Sequence, residues 1–347
     1  MRGSDEFLAQ PPSRPNMHQT SDELEFGSHV ERYRRELQVH CYRMLGSYDD
    51  SEDLVQETFL RAWRGRATFQ GRASVRTWLY RIATNACLDA LDRRPRRVMP
   101  PDLVAAADPA AVPAPPPPDI PWVTPYPDRL LDTIASGDEA PESEVVSRET
   151  IELAFIAAMQ HLPTRQRAVL ILRDILGWSA NESAGLLAMS VPALNSALQR
   201  ARGTLKEHLP PRRLDWAAAA DPTGDERILL QRFMAAHETA DVAAIAAILR
   251  EDARMVMPSL GNWYDGRDAI ATAMELGFAT LEGAEFRMVP TGANRQPAVA
   301  FYLRAANETE FRGFLLNVLR IEAVEIVEIA GYGAEVFPAF GLPATLQ

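Results

Sequence analysis

A run of prolines in the middle of the chain constrains its organisation more than any other feature. Pro113, prolines 115–118, Pro121, Pro125 and Pro127 lie close together. Each removes a backbone donor and fixes φ, so neither a helix nor the interior of a sheet can pass through them. The segment reads as an extended, polyproline-like linker, and the chain divides around it. Before it, helical periodicity runs from about residue 28 to 98. After it, helical periodicity returns near residue 143 and lasts to about 209. A second short linker covers 210–222. From 223 to 340 two helical patterns precede strand-like alternation at 253–258, 285–290, 297–304, 314–321 and 323–330, an α+β order with antiparallel strands. The expected architecture is therefore multidomain: a disordered leader 1–27, in which Met17 offers an alternative start, a helical module 28–98, a Pro-rich acidic linker 99–142, a helical module 143–209, the short linker, and an α+β domain 223–340.

Charge follows the same boundaries. The chain carries −11 overall, the wrong sign for a nucleic-acid binder until it is split. Residues 28–98 hold 14 arginines against nine acids, a net of +5, and residues 148–213 carry +4. Residues 99–147 and 221–347 each carry −8. Any affinity for DNA must reside in the two basic modules. The two cysteines, Cys41 and Cys87, lack CxxC spacing or histidine-rich neighbours. They read as reduced core thiols in a cytoplasmic protein, with no metal or cofactor. No apolar run approaches membrane-spanning length, and no membrane partner is expected.

The second module contains the sharpest local signal. Ser179-Ala-Asn-Glu182 is a capping box, which starts a short helix that ends near Ala188. Ser190 caps a second helix and Pro192 fits its first turn. In that helix Val191, Leu194, Leu198, Ala201 and Leu205 form a buried stripe. Asn195, Gln199, Arg202 and Lys206 form the opposite one, flanked by Ser196 and Arg200. Two short helices joined by a tight turn, the second presenting amides and guanidiniums, suit a major groove. A solvated amphipathic helix of an ordinary bundle has the same stripe; the capping box, tight spacing and local charge favour DNA.

In the first module, Ser51 is placed to cap a helix in which Val55, Phe59 and Ala62 or Trp63 point inward. Asp53, Gln56, Glu57 and Leu60 face outward, a mixed surface suited to another protein. Further on, Phe69, Arg72, Arg76, Trp78, Tyr80, Arg81 and the cluster Arg93, Arg94, Arg96 and Arg97 combine guanidiniums with aromatics. With Asn85, such a set can hold phosphates and accept unstacked bases, although Trp78 fits a core position better.

These residues resemble the extracytoplasmic-function class of RNA polymerase sigma factors over most of 28–209. The resemblance rests on Asp53-Leu-Val-Gln-Glu57 with Trp63, on Phe69 and Arg76-Thr-Trp-Leu79, on Arg81-Ile-Ala83 with Asn85 and Asp89, on Leu162-Pro163 with Gln166-Arg167, and on Leu194-Asn-Ser-Ala-Leu-Gln-Arg-Ala-Arg202. Met257-Pro258 and Trp263-Tyr-Asp-Gly266 resemble the SnoaL-like cone that some of these factors carry. The linker piece Trp122 to Asp132 resembles the mycobacterial-type SigG branch. The Asp-Gly-Gly-Gly-Arg signature of another SnoaL-bearing branch is replaced here by Gly331-Tyr-Gly-Ala-Glu335, so that branch's regulatory contacts do not carry over.

The resemblance implies a promoter-recognition subunit and not an enzyme. It implies that Asp53, Leu54, Gln56, Glu57 and Leu60 dock on core RNA polymerase, at its β′ clamp, with the β flap a second contact. It implies that Arg76, Trp78, Arg81 and Asn85 engage the −10 element. Ser190, Asn195, Ser196, Gln199 and Arg200 would read the −35 element, with Arg202 and Lys206 on phosphates. The acidic linker would thread the positively lined interior of the polymerase. The C-terminal cone would regulate in cis, with Trp263 and Tyr264 at a pocket for an unknown small ligand. Asp265, Asp268 and His237 are the remaining candidates for chemistry there. The alternative is an autonomous helix-turn-helix regulator with a ligand-sensing domain, which predicts tight duplex binding by the chain alone. A cyclase or isomerase tethered to DNA is a third reading.

Overall fold

The computed structural model describes residues 27–111 apart from His29, Gln70 and Arg72, together with 120–135, 150–209 and 224–347. The leader through residue 26, Pro113 and prolines 115–118, and the connector at 210–222 lie outside the described residues.

The first module is built around α1 (Arg34–Leu45), α2 (Tyr48–Gly65) and α3 (Val75–Leu91). α1 ends at Gly46, whose φ of 69° is open to glycine at no steric cost. α2 begins one turn earlier than the Ser51 expectation: Ser47 is the cap, accepting from the Asp50 amide at 3.2 Å. The acids Asp49 and Asp50 occupy the first turn, where the helix dipole favours them. Ser51 lies inside the helix and gives its hydroxyl to the Tyr48 carbonyl. Cys41 and Cys87 are free, buried core residues. Burial and the neighbouring Cys41 push the Cys87 thiol well above its ordinary range, so it stays protonated.

The linker is less extended than its composition predicts. Residues 98–111 and 120–127 pack back on the protein, and Val98 and Trp122 form a parallel bridge. A helix follows, α4 (Asp128–Ala135). The second module comprises α5 (Leu153–Gln160), α6 (Thr164–Leu170) running into a π-turn at Ile171–Ile175, α7 (Ala180–Leu186) and α8 (Val191–His208).

The C-terminal domain sets α9 (Gly224–Glu238), α10 (Val242–Ala246) and α11 (Arg267–Thr280) against one face of a sheet. Its strands are β1 (Leu249–Met257), β2 (Asn262–Asp265), β3 (Glu285–Ala293), β4 (Gln296–Arg304), β5 (Phe311–Glu322), β6 (Glu325–Gly333) and β7 (Thr345–Leu346), with a last short helix α12 (Phe337–Phe340) before β7. The order is β2-β1-β6-β5-β4-β3, with β7 added beside β5. The sheet is mixed, since β1 runs parallel to β6. That differs from the all-antiparallel expectation, because the chain returns from β5 through β6 to lie alongside its own first strand.

The sheet is covered on both sides. Gln296 through Tyr302 of β4 are all buried. Val299 and Phe301 join the core under α9 to α11, while Ala298, Ala300 and Tyr302 join a core shared with both helical modules and the linker. Alternation along a strand sends neighbours to opposite faces, and both faces here meet protein.

Candidate functional site: two helical faces and the joint between them

On α2, Asp53, Gln56 and Leu60 are exposed and Leu54 and Glu57 half-buried. Leu60 keeps 51% of its surface in solvent, a large apolar side chain with nothing over it. Arg61 donates to Glu57 at 2.8 Å and to Asp89 of α3 at 3.0 Å, which orients the Glu57 carboxylate along the face. The strip thus combines acidic, amide and aliphatic groups on one exposed side of α2.

The residues expected at the −10 element divide. Arg81 and Asn85 are exposed on one side of α3. Arg76 pairs with Glu36 at 2.9 Å and lies over the Tyr80 ring. Trp78 is 7% exposed and packs on Phe69, ring centroids 4.9 Å apart, so it belongs to the core. Three of the four arginines after α3 are engaged within the protein. Arg94 and Arg97 both hold Asp50, Arg97 also donates to the Trp122 carbonyl, and Arg96 meets His161 of the second module at 3.0 Å. Burial alone would raise the Asp50 carboxyl, but the hydrogen bonds and charge of Arg97 and Arg94 outweigh it and hold it below the ordinary range.

In the second module the capping box is formed in both directions: the Glu182 amide donates to Ser179 Oγ at 3.2 Å, and the Ser179 amide donates to Glu182 at 2.9 Å. α7 ends before Ala188, which takes φ of 51° in the turn. Ser190 caps α8 by accepting from the Ala193 amide. Leu194, Leu198 and Ala201 are buried, while Asn195, Ser196, Gln199, Arg200 and Lys206 line the exposed side. Arg202 differs from these: its guanidinium forks onto Asp174 at 2.8 and 2.7 Å, which positions it beside α8 and leaves less of it for a phosphate.

Sequence reasoning missed the joint. Arg167 of α6 is 2% exposed, and its guanidinium donates to the Met44 carbonyl at the end of α1, to Gln160 Oε1 at 2.7 Å and to the carbonyls of Gln160 and Leu162. Burial lowers its pKa to about 10. Carbonyl oxygens take the place of a carboxylate around this buried cation and tie the two modules together. Arg43 donates to Thr150, and Trp178 meets Tyr80 edge-on across the same boundary.

The larger part of the joint is the linker. Tyr126 is fully buried, its ring 5.0 Å from Tyr42 and 5.6 Å from Tyr48. Thr124 bonds the α1–α2 corner through both its amide and its hydroxyl. On the other side of Tyr126 stands the β3–β4 turn. Asn294 and Arg295 have φ of 56° and 58°, the two positive values of a type I′ hairpin. Asn294 is completely buried. Its Nδ2 donates to Tyr42 Oη at 2.9 Å and to the Ile151 carbonyl at 2.6 Å, and its Oδ1 accepts from the Tyr126 amide at 2.8 Å. One side chain of the C-terminal domain therefore bonds the first module, the linker and the second module. Arg295 adds its amide to Asp128 at 2.7 Å and an ion pair to Asp132. Gln296 accepts from the Leu153 amide at 3.0 Å. Gly292 permits the approach, since a Cβ there would lie 2.5 Å from an Asp128 carboxylate oxygen. The Asn-Arg dipeptide between two strand patterns was the signal available in sequence, yet a hairpin turn alone does not say what it enters.

The expected pocket needs a correction. A cavity of about 440 Å³ lies between the sheet and α9 and α11, and Tyr264 lines it, whereas Trp263 does not. The two are neighbours on β2 and must face opposite ways. Trp263 lies on the outer side, where its indole donates to the Val104 carbonyl at 2.9 Å. Asp265 pairs with Arg254 and Asp268 is fully exposed at the start of α11; neither lines the cavity, although His237 does. Among the described residues no helix is long and apolar enough to cross a membrane, and no group of His, Cys, Asp or Glu side chains is placed to hold a metal.

Comparison with known proteins covers the same three units. Residues 29–97 match Sigma-70 region 2, 152–205 match Sigma-70 region 4, and 230–329 match the SnoaL-like domain. Over 325 residues the chain is 41% identical to the ECF RNA polymerase sigma factor SigG of Mycobacterium tuberculosis, covering 93% of this chain and 85% of that protein. It is 30% identical over 191 residues to the ECF sigma factor SigW of Bacillus subtilis, covering 54% of this chain and 90% of that one. The crystal structure of the M. tuberculosis sigma factor SigJ shares the fold, with a TM-score of 0.56 and 17% identity over 91% of this chain and 99% of that one.

Proposed function

We infer that this chain, which belongs to the extracytoplasmic-function RNA polymerase sigma factors and so directs promoter-specific transcription, is held inactive in the closed arrangement by its own C-terminal SnoaL-like domain. The observation that carries the reading is Asn294, one buried side chain bonded to the first module, the linker and the second module at once. A linker whose Tyr126 is buried in that joint cannot at the same time follow a path through the polymerase. Joining the polymerase therefore requires the joint to open, and every contact in it stabilises the unbound chain.

In the open form, Asp53, Leu54, Gln56, Glu57 and Leu60 dock on the clamp of the β′ subunit, and the second module meets the β flap. Arg81 and Asn85 serve the −10 element, with Arg76 beside them once Glu36 releases it. Trp78 acts as the packing beneath them. Ser190, Asn195, Ser196, Gln199 and Arg200 address the −35 element, with Lys206 on phosphate and Arg202 joining it at the expense of Asp174. The work is done in the cytoplasm, where the polymerase is. The C-terminal domain acts as a regulatory module, a reading supported by its hydrogen bonds to both helical modules and the linker.

Run-off transcription with core polymerase and genomic fragments tests this. The full chain should start RNA at discrete sites. Gln56→Ala with Glu57→Ala should reduce co-purification with core at least tenfold at an unchanged melting temperature; undiminished co-purification removes the docking face. Arg200→Ala should cost about 1–3 kcal/mol at one −35 base pair, and a uniform loss across sequences reassigns it to phosphate. Tight duplex binding by the chain alone would favour an autonomous regulator.

A further inference from the structure

The cavity of the C-terminal domain is built for a guest of narrow chemical type. Its walls include Met255, Met257, Phe278, Phe286, Phe301 and Leu315, and among the described residues no Asp, Glu, Lys or Arg lines it. At about 440 Å³ it lies in the size range of small-molecule sites. Three methionines, the third being Met274, supply adaptable apolar surface. The polar groups are few and placed apart. His237 is 4% exposed, and its Nδ1 lies 2.8 Å from the Phe233 carbonyl, so the proton belongs on Nδ1 and Nε2 is left as an acceptor. Burial lowers its pKa to about 4, so the ring is neutral at ordinary pH. Asn317 lines the cavity from β5, and its Oδ1 is buried without a hydrogen-bond partner among the described residues. A buried amide oxygen left in that state calls for a donor.

One wall comes from far away in the chain. Pro109, Ala110 and Ala111 of the linker close part of the cavity. They are held there by the Ala107 amide, which donates to the Trp263 carbonyl at 2.8 Å, and by the Trp263 indole on Val104. Around the opening Leu260, Leu276 and Phe314 keep 38–44% of their surface in solvent. This apolar rim belongs to a domain that carries −8 overall. The rim and the uncharged interior form a continuous path for an apolar molecule.

We propose that the cavity binds a neutral, largely apolar small molecule bearing a hydroxyl or carbonyl group, and that the bound molecule tethers residues 104–111 of the linker and so favours the closed chain. A charged ligand would leave its counter-charge requirement unmet in this lining. The direction of coupling follows from the composition of the walls. A guest that touches Pro109 to Ala111 buries more surface when the linker is in place than when it has left, so it binds the closed form more tightly and shifts the equilibrium toward it. Binding itself is independent of the sigma-factor reading; only the consequence for polymerase rests on it.

The test uses the full chain and two fluorescent probes with related rings, neutral N-phenyl-1-naphthylamine and 1-anilinonaphthalene-8-sulfonate, which adds a charge. The neutral probe should bind saturably at one site and the sulfonate at least tenfold more weakly. In methyl-labelled spectra the neutral probe should shift Met255, Met257 and Met274 and leave Met44 and Met159 unmoved. Ala273→Trp, which fills the cavity from α11, should abolish binding. Trp263→Phe, outside the cavity, should weaken it several-fold by loosening the linker. Saturating neutral probe should lower co-purification with core polymerase at least threefold. Equal affinity for the sulfonate, or unmoved cavity methionines, overturns the site. Unchanged affinity in Trp263→Phe overturns the tether. A probe that binds as expected without affecting polymerase association overturns the coupling while leaving the site intact.

Discussion

The two faces of the C-terminal sheet solve opposite problems. Toward the helical modules the strands present Ala293, Ala298, Ala300 and Ala330, small residues that let helices and linker come close, and the β3–β4 turn fills what remains with hydrogen bonds. Toward α9 and α11 the sheet presents Met255, Phe301, Leu315 and Asn317, large or polar groups arranged around empty space. The module-facing side is tied down around the β3–β4 turn and leaves a cleft of about 680 Å³ farther along, between Leu153 and His161 on one side and Arg320 and Glu328 on the other; the other side encloses the apolar cavity. Both are buried, so burial alone does not distinguish a joint from a site. Two amide side chains show the contrast most sharply: Asn294 makes three hydrogen bonds, whereas Asn317 Oδ1 has no partner among the described residues.

The largest test of this contrast is Asn294→Ala. It leaves the Ile151 carbonyl and the Tyr126 amide without their Asn294 partner, at about 1–3 kcal/mol for each uncompensated group, and takes one of two hydrogen bonds from Tyr42 Oη, which keeps the Thr124 carbonyl. Alanine is also disfavoured at φ of 56°. A loss of about 3–5 kcal/mol in domain coupling should appear as two thermal transitions in place of one, with faster linker proteolysis and increased polymerase association. A single unshifted transition would mean that the turn does not hold the joint.

Acid should act on the other face. His237 titrates at about 4 in the folded chain against an ordinary value of 6.5, because burial disfavours its charged form. The unfolded chain therefore binds the extra proton first. The associated stability is fully present above pH 6.5 and is lost as pH falls toward 4, by about 3 kcal/mol at the lower limit. His40 in the first module, lowered to about 3 by burial and then by Arg43, adds a second loss of the same sign. Unfolding free energies from pH 7.5 to 4 should show the slope, and His237→Gln should remove its own part while the His40 part remains. An unchanged slope in that variant would place the acid sensitivity elsewhere.

A volume change separates the faces most finely. Ala300→Leu on the module side has no space to fill and should cost about 1–3 kcal/mol through overpacking. Leu315→Met on the cavity side conserves volume beside free space and should cost less than about 1.5 kcal/mol. Equal costs in chemical denaturation would show that the module side is as loosely packed as the cavity.

Much of the local structure was already legible along the chain. Ser179 and Glu182 announced a helix start, Ser190 with Pro192 announced the next, and the three- and four-residue spacing of Leu194, Leu198 and Ala201 assigned the inner and outer sides of α8. Those signals act over a single turn, so the tertiary fold has little to add. Strand existence was also readable for β1 and for β3 to β6, because alternation is a local property. The start of α2 was misjudged by one turn, since Ser47 and Ser51 are both competent caps and the contacts at Thr124 decide between them.

Residue pattern alone established the make-up of each part: two basic helical units, an acidic connector, a helix-turn-helix with an exposed amide and guanidinium stripe, and a mixed α+β domain with apolar strands. Tertiary structure alone decided where those parts meet. Asn294 and Tyr126 are 168 residues apart, and nothing in the periodicity around either one encodes the other. The same holds for Arg167 under Met44 and for Pro109 at the mouth of the cone. Secondary structure is written in spacing over a few residues, whereas a joint is the free-energy minimum of surfaces brought together from distant positions, visible only once they are in contact.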